Sequence, residues 1–79
     1  LTKVAARSLA PEVRVNAIAP GTVLPPEGMS DTVIDSLAAR APLQRTGSPD
    51  DVVQAVLYLL RAEFVTGETL VVDGGRLLA

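Results

Sequence analysis

The spacing of apolar residues predicts that helices and strands alternate along this chain. From Val4 to Leu9 the apolar residues recur at helical spacing, and Pro11 disfavours helical geometry in the residue before it, so we expect a helix that ends by Ala10. The run from Val13 to Ala19 is rich in β-branched residues and largely apolar on both faces, which is typical of a strand covered by helices on each side. The first part of the chain therefore predicts a helix and then a buried parallel strand.

A loop, two helices and a second strand are predicted for the rest of the chain. Prolines and glycines interrupt regular structure from Pro20 to Gly28, and Ser30 then caps a helix that Pro42 ends. A longer helix is expected from about Pro49 to Arg61, because a capping serine, a proline and two acids stand at its start. A short run from Glu68 to Asp73, closed by glycines, predicts the second strand.

This order of elements, helix-strand-loop-helix-helix-strand, predicts an α/β fold. Two apolar strands separated by helices indicate a parallel pair joined by a right-handed crossover, as in open doubly wound sheets. Two such strands do not form a protected sheet alone. We therefore expect part of a doubly wound parallel sheet.

The composition indicates that the chain packs against further protein. Its 79 residues are 48% hydrophobic and 20% charged, with a mean hydropathy of +0.35. That is more apolar surface than a body of this size easily buries. The chain begins with Leu1 inside a helical pattern, so we expect further chain upstream.

Charge and residue content disfavour several classes of function. A net charge of −2 with one Tyr and one Phe provides neither a basic surface nor a stacking platform for nucleic acid. The longest apolar runs, such as Val56 to Leu60, are far shorter than the roughly 20 residues of a membrane helix. The absence of His and Cys removes imidazole bases, thiol nucleophiles and the usual transition-metal ligands. The lack of Cys is also compatible with the cytoplasm, where we expect the protein to act.

The loop that follows the first strand is the candidate binding site. In open parallel sheets, ligands bind beyond the carboxyl ends of the strands, which is where Pro20 and Gly21 stand. Gly21 lets a flat ring approach the backbone, and the amides of Thr22 and Val23 are then available to a carboxamide. A proline-glycine pair is also a common turn after a strand, and the dipeptide alone favours that simpler interpretation.

Four segments in this order, VRVNAIAPG, an amphipathic helix, PLQRTGSPDDVVQAVLYLL and FVTGETLVVDGG, resemble the final third of short-chain dehydrogenases/reductases. The resemblance covers almost the whole chain. It implies that residues 1–79 are the C-terminal portion of a single NAD(P)-binding, Rossmann-type domain whose N-terminal portion is missing. It also implies hydride transfer between NAD(H) or NADP(H) and a carbonyl, alcohol or imine-like substrate.

The resemblance assigns the residues after the first strand to the cofactor. Pro20, Gly21, Thr22 and Val23 correspond to positions that contact the nicotinamide end, with the Val23 backbone as the partner of the carboxamide. Pro25 stands where the family often has a threonine that reaches the pyrophosphate, so that contact is not carried over.

The stretch LPPEGM is similar to the proline-containing loop of pteridine reductases, which are members of the same family. The similarity implies that Leu24, Pro25 and Met29 line the substrate pocket and that the helix from Ser30 to Arg40 covers it. Met29 is explained equally well as a filler of a packing gap.

No catalytic or metal-binding residue is assigned in this chain. In the family, the glycine-rich phosphate loop and the catalytic serine, tyrosine and lysine all precede the matched segment. Lys3 matches a solvent-facing lysine of the family, and Tyr58 lies in an apolar helix, where it indicates core packing. Capping, turn formation and hydrogen bonding between loops explain the remaining polar candidates, which are Asp50, Asp51, Asp73 and Asn16.

Two hypotheses of different class remain open. In the first, the chain is part of an NAD(P)-dependent reductase that acts on a small molecule and forms a homo-oligomer, a dimer or a tetramer, as the family commonly does. In the second, the polypeptide exists alone as a non-catalytic association module that binds no nucleotide and self-associates through its apolar faces.

Overall fold

The computed structural model describes residues 1–21 and 28–78. Within them the chain forms α1 (Thr2–Leu9), β1 (Ala17–Pro20), α2 (Asp31–Arg40), α3 (Pro49–Arg61) and β2 (Thr69–Val72). A short 3₁₀ helix, Arg76–Leu78, follows the second strand. The predicted α/β class and the order of helices and strands are confirmed, whereas the 3₁₀ helix was not predicted.

The two strands form a parallel pair whose carboxyl ends lie at the same edge. Ala17 is opposite Thr69, and Pro20 is opposite Val72. Helix α3 packs on both strands. Because the strands are parallel and in this register, the residues that follow Pro20 and Val72 are neighbours. This edge is the carboxyl edge of the sheet.

Both strands are shorter than predicted, with four residues each. The predicted strand start at Val13 is wrong because the backbone before Ala17 forms its hydrogen bonds outside the sheet. The N–H of Val15 donates to Thr66 Oγ1 at 3.1 Å, and the carbonyl of Val15 accepts from the N–H of Gly67 at 2.8 Å. This stretch therefore pairs with the loop before β2 and not with a strand.

The described residues enclose very little core. Their buried apolar side chains are three alanines, Ala6, Ala41 and Ala55. Tyr58 is 55% exposed and Phe64 is fully exposed, so the prediction that Tyr58 packs in a core is wrong for this part of the structure. The first strand, which was predicted to be covered on both faces, is half-buried up to Ala19, and the second strand alternates exposed and half-buried residues. The expected excess of apolar surface is confirmed.

Both long helices begin where their capping residues predict. The Ser30 hydroxyl accepts a hydrogen bond from the N–H of Val33 at 3.3 Å, and α2 starts at the next residue. Helix α3 starts at Pro49 and ends at Arg61, as predicted. Among the helices in the described ranges, none is both long and apolar enough to cross a bilayer.

Candidate functional site

The carboxyl edge of the sheet brings Gly21 against Asp73. The N–H of Gly21 donates to the carbonyl of Val72 at 2.9 Å, which extends the strand pairing by one residue. A Cβ atom on Gly21 would lie 3.0 Å from both the Cα and the Cβ of Asp73. Glycine suits this position, because any side chain would push the two segments apart by a few tenths of an ångström. This steric requirement adds to the reason for which Gly21 was predicted, which was access for a flat ring.

Asp73 organises the turn that follows β2. Its carboxylate accepts from the N–H of Gly75 at 2.8 Å and from the N–H of Leu77 at 3.1 Å. The predicted turn role of Asp73 is thereby confirmed. We call residues 73–77 the Asp73 turn. Among the described residues, no group of three or more acidic, His or Cys side chains is placed to hold a metal ion.

Helix α2 reaches the same edge with its carboxyl end. Leu37 and Ala41 line a small cavity of about 20 Å³ together with Gly21, Val72 and Asp73. The chain after α2 stays at this edge, because the N–H of Leu43 donates to the carbonyl of Gly74 at 3.0 Å. The helix that was predicted to cover the substrate pocket therefore lies beside the Pro20-Gly21 segment.

Arg45 and Asp51 form an ion pair near this edge. Arg45 donates through both terminal nitrogens to the two carboxylate oxygens of Asp51, each at 3.1 Å. Asp51 also accepts from the backbone N–H of Ser48 at 2.7 Å. The hydrogen bonds from Arg45, and then that from Ser48, lower the pKa of Asp51 to about 2. Asp51 therefore stays charged, and it fixes both the start of α3 and the loop that carries Arg45.

The ion pair of Arg45 was not predicted from the sequence, although a signal for it existed. Asp51 is the third residue of α3, where an acid that caps a helix leaves part of its carboxylate free for a second partner. A nearby arginine can take that partnership in the bidentate geometry observed here. The same pairing raises the pKa of Arg45 above its ordinary value.

Arg14 and Asn16 tie the chain before β1 to the end of α3 and to the loop before β2. Arg14 donates to the carbonyls of Leu59 at 2.8 Å and Ala62 at 3.0 Å, and so satisfies the carboxyl end of α3. The amide of Asn16 donates to the carbonyl of Val65 at 3.0 Å. Its oxygen accepts from the N–H of Glu68 at 3.1 Å, so the predicted loop-tying role of Asn16 is confirmed. The role of Arg14 was missed.

Three of the predicted site residues lie among the residues that the structure describes. Pro20 and Gly21 lie at the carboxyl edge, and Met29 is a half-buried residue just before the cap of α2. The other four predicted positions lie outside the described residues; they are Thr22, Val23, Leu24 and Pro25. Lys3 donates to the carbonyl of Gly67 at 3.3 Å, which places it at the opposite, amino end of β2.

The chain resembles known reductases over nearly its whole length. Residues 1–76 match the family model described as enoyl-(acyl carrier protein) reductase. Carbonyl reductase family member 4 of Xenopus laevis is 47% identical over 74 residues, which cover 87% of this chain and 31% of the relative. The chain thus spans about a third of the length of the curated relatives it matches.

Solved structures show the same arrangement of elements. FolM alternative dihydrofolate reductase 1 from Brucella canis, complexed with NADP, superposes with a TM-score of 0.88 at 37% identity, covering 99% of this chain and 31% of that chain. A short chain dehydrogenase from Leptospira borgpetersenii with bound NAD⁺ superposes with a TM-score of 0.82 at 40% identity, covering 95% of this chain and 30% of that chain.

Proposed function

Since this chain belongs to the short-chain dehydrogenase/reductase family, we propose that it is the C-terminal portion of the NAD(P)-binding domain of an oxidoreductase. The observation that carries the proposal is the carboxyl edge of the parallel sheet, where Gly21 and Asp73 meet with α2 beside them. Edges of this kind bind nucleotides in open α/β sheets. Both NADP and NAD⁺ occur in structures that this chain resembles, which supports NAD(H) or NADP(H) as the cofactor.

The residues after β1 would orient the nicotinamide end of the cofactor. Gly21 has no side chain, and Pro20 ends the strand at the exposed edge, so backbone groups dominate the surface offered to a ligand here. We assign contacts with the ring and its carboxamide to Pro20, Gly21, Thr22 and Val23. The cofactor supplies the hydride, and this part of the chain holds the ring in place. We expect the groups that move protons in the part of the family fold that precedes this segment.

For the substrate we propose a pteridine, reduced in a pocket that includes Leu24, Pro25 and Met29. The LPPEGM stretch supports this class, and so does the likeness to an alternative dihydrofolate reductase. A simple carbonyl compound is the second candidate, which the likeness to a carbonyl reductase favours. That Leu37 of helix α2 lies at the same edge as Gly21 supports a pocket bordered by α2 in either case.

A homo-oligomer, a dimer or a tetramer, is the assembly we propose for the whole protein. Large apolar side chains on α3 remain exposed, among them Val53 and Leu57. Exposed apolar surface of this kind supports contact with further protein, either the rest of the domain or a second copy. The alternative that this polypeptide is only an association module rests on the same surface.

The test begins with the intact natural polypeptide that carries these residues. We expect a mass several-fold above 8.2 kDa and oxidation of NADPH or NADH in the presence of dihydrobiopterin or a 3-oxoacyl thioester. Preference for the pterin would support the pteridine reductase, and preference for the thioester would support the carbonyl candidate. A mass of 8.2 kDa without nucleotide binding would leave the association module as the remaining function.

A pair of variants tests the backbone contact at Val23. Replacing Val23 with proline removes its N–H, whereas replacing it with alanine keeps that group. Loss of one hydrogen bond to the carboxamide should weaken cofactor binding about tenfold in Val23→Pro and little in Val23→Ala. Equal cofactor affinity in the two variants, measured by quenching of NADPH fluorescence, would contradict the assignment.

A further inference from the structure

Two glycines of the Asp73 turn face the chain that leaves α2. Both have positive φ, +65° at Gly74 and +87° at Gly75. A Cβ atom on Gly75 would lie 3.1 to 3.3 Å from three ring atoms of Pro42. A Cβ atom on Gly74 would lie 3.3 Å from the Cβ of Ala41. The turn therefore has a surface without side chains, and residues 41–43 fit against that surface.

This contact is rigid on both sides. The ring of Pro42 cannot rotate away, because it is closed onto its own backbone. The turn cannot open easily either, since the carboxylate of Asp73 accepts from two of its N–H groups. The hydrogen bond from Leu43 to Gly74 holds the two segments together. A side chain added at Gly75 must therefore displace the ring of Pro42 together with its backbone.

Among the described residues, α2 is attached to the rest of the fold mainly at its carboxyl end. No residue of α2 itself is buried, while Ala41, directly after it, is 5% exposed. Gln44 completes the attachment, because its side-chain amide donates to the carbonyls of Ala39 and Ala41 at 3.2 Å each. The position of α2 over the carboxyl edge is thus set from its carboxyl end.

We propose that Gly74 and Gly75 are positioning residues of the reaction, which set the distance between α2 and the carboxyl edge and thereby the fit of the substrate. The proposal rests on the proposed function, in which α2 covers the substrate. Its structural basis is that the Asp73 turn holds residues 41–43 at the carboxyl edge, through the hydrogen bond from Leu43 to Gly74 and the close approach of Gly75 to Pro42. The residues to which we assign the cofactor precede α2 and are not part of it. Disturbing the glycines should therefore affect the substrate and leave the cofactor bound.

The decisive variant is Gly75→Ala in the intact protein, with Gly67→Ala as its matched control. Gly67 has a similar φ of +76°, so alanine is strained there as well, but its added Cβ would meet only Ala6 at an ordinary 3.5 Å. Comparing the two variants separates displacement of Pro42 from backbone strain. We expect KM for the substrate to rise about tenfold in Gly75→Ala and to change less than about twofold in Gly67→Ala. The Kd for NADPH should stay the same in both.

Hydrogen exchange of the amides of α2 gives a readout that does not depend on turnover. We expect faster exchange across residues 31–40 in Gly75→Ala than in Gly67→Ala. If Gly75→Ala does not fold, Leu43→Pro deletes the bond to Gly74 and Leu43→Ala keeps it, and the same difference is expected between those two variants.

The outcomes separate the two proposals. No oxidation of NAD(P)H by the unaltered protein would refute the proposed function, and exchange in α2 would still decide whether the glycines anchor the helix. Activity in the unaltered protein, with equal substrate KM in Gly75→Ala and Gly67→Ala, would overturn the positioning role alone. A rise in the Kd for NADPH that matches the rise in KM would overturn it as well.

Discussion

Helices α2 and α3 are attached to the rest of the fold in different ways. Helix α3 packs on both strands, starts at a carboxylate cap and ends beneath the guanidinium of Arg14. Helix α2 has a serine cap, no buried residue and an anchor at its carboxyl end. The comparison indicates that α3 belongs to the scaffold, whereas α2 is held, among the described residues, mainly at its carboxyl end. Changes at α3 should therefore alter global stability, and changes at α2 should act locally.

The largest effect is expected for Arg14→Ala. This change removes three hydrogen bonds to the carbonyls of Leu59, Leu60 and Ala62 and leaves the end of α3 unsatisfied. The free energy of unfolding of the intact protein should fall by about 2–3 kcal/mol, measured by urea denaturation. Arg14→Lys keeps the charge without the fork and should lose roughly half as much. Arg7→Ala, on the exposed surface of α1, is the control, and an equal loss there would contradict the capping role.

A smaller global effect is expected at Asn16. Asn16→Ala leaves the carbonyl of Val65 and the N–H of Glu68 without their partner, which should lower the free energy of unfolding by about 1–2 kcal/mol. Asn16→Asp keeps the acceptor for Glu68 but points a carboxylate oxygen at the Val65 carbonyl. It should therefore be at least as destabilising as alanine in the same denaturation experiment. An Asn16→Asp variant as stable as the unaltered protein would show that only the bond to Glu68 matters.

On α2 we expect a local effect from Ser30→Ala. The variant loses the hydrogen bond to the N–H of Val33, which should destabilise the first turn by about 1 kcal/mol. Amide exchange at the start of α2 should accelerate about fivefold, with no shift in the global urea midpoint. Ser36→Ala, on the exposed part of the same helix, provides the control. A shift in the midpoint for Ser30→Ala alone would mean that α2 is part of the scaffold.

The smallest effect is the pH dependence of the Arg45–Asp51 pair. The pKa of Asp51 is lowered from 3.8 to about 2 in the folded state, so the pair stabilises the fold fully above pH 3.8. That contribution is lost as the pH falls through about 2. The stability difference between the unaltered protein and Asp51→Asn should therefore shrink over this interval. It should also shrink in high salt, because Arg45 is 59% exposed. A difference that is constant from neutral pH to pH 2 would contradict the assignment to Asp51.

Local signals predicted the elements of the fold well. Capping serines placed the starts of α2 and α3, and the proline and acids at Pro49 to Asp51 placed α3 to the residue. The strand boundaries were less accurate, because the N–H of Val13 donates back to the carbonyl of Leu9 and the backbone of Val15 pairs with a loop far along the chain. A pattern of apolar residues does not show whether the partner of a backbone group is a strand or a threonine hydroxyl.

Only some features of the candidate site could be predicted from the sequence, because local patterns do not show which distant segments meet. The position of Gly21 at a strand end could be read from the sequence, since a strand followed by Pro-Gly marks the carboxyl edge. The contact between Gly75 and Pro42 could not, because it depends on how two separate turns meet in space. Arg14 carries no signal of its own, because it binds carbonyls 45 to 48 residues away. For Arg45 the signal lies in its partner, the capping acid Asp51 at the start of the next helix.

The tethers of Arg14 and Asn16 also bear on how this segment folds. Asn16 and Glu68 are 52 residues apart, and the strands that they precede can pair only when a loop of that length closes. Closing such a loop costs on the order of 3–4 kcal/mol of chain entropy before any strand contact forms. The helices between the strands can form within microseconds, whereas pairing of β1 with β2 must wait for this encounter. We therefore expect the sheet to form late in folding, with Arg14 and Asn16 closing the loop and Gly21 reaching Asp73 in the same step.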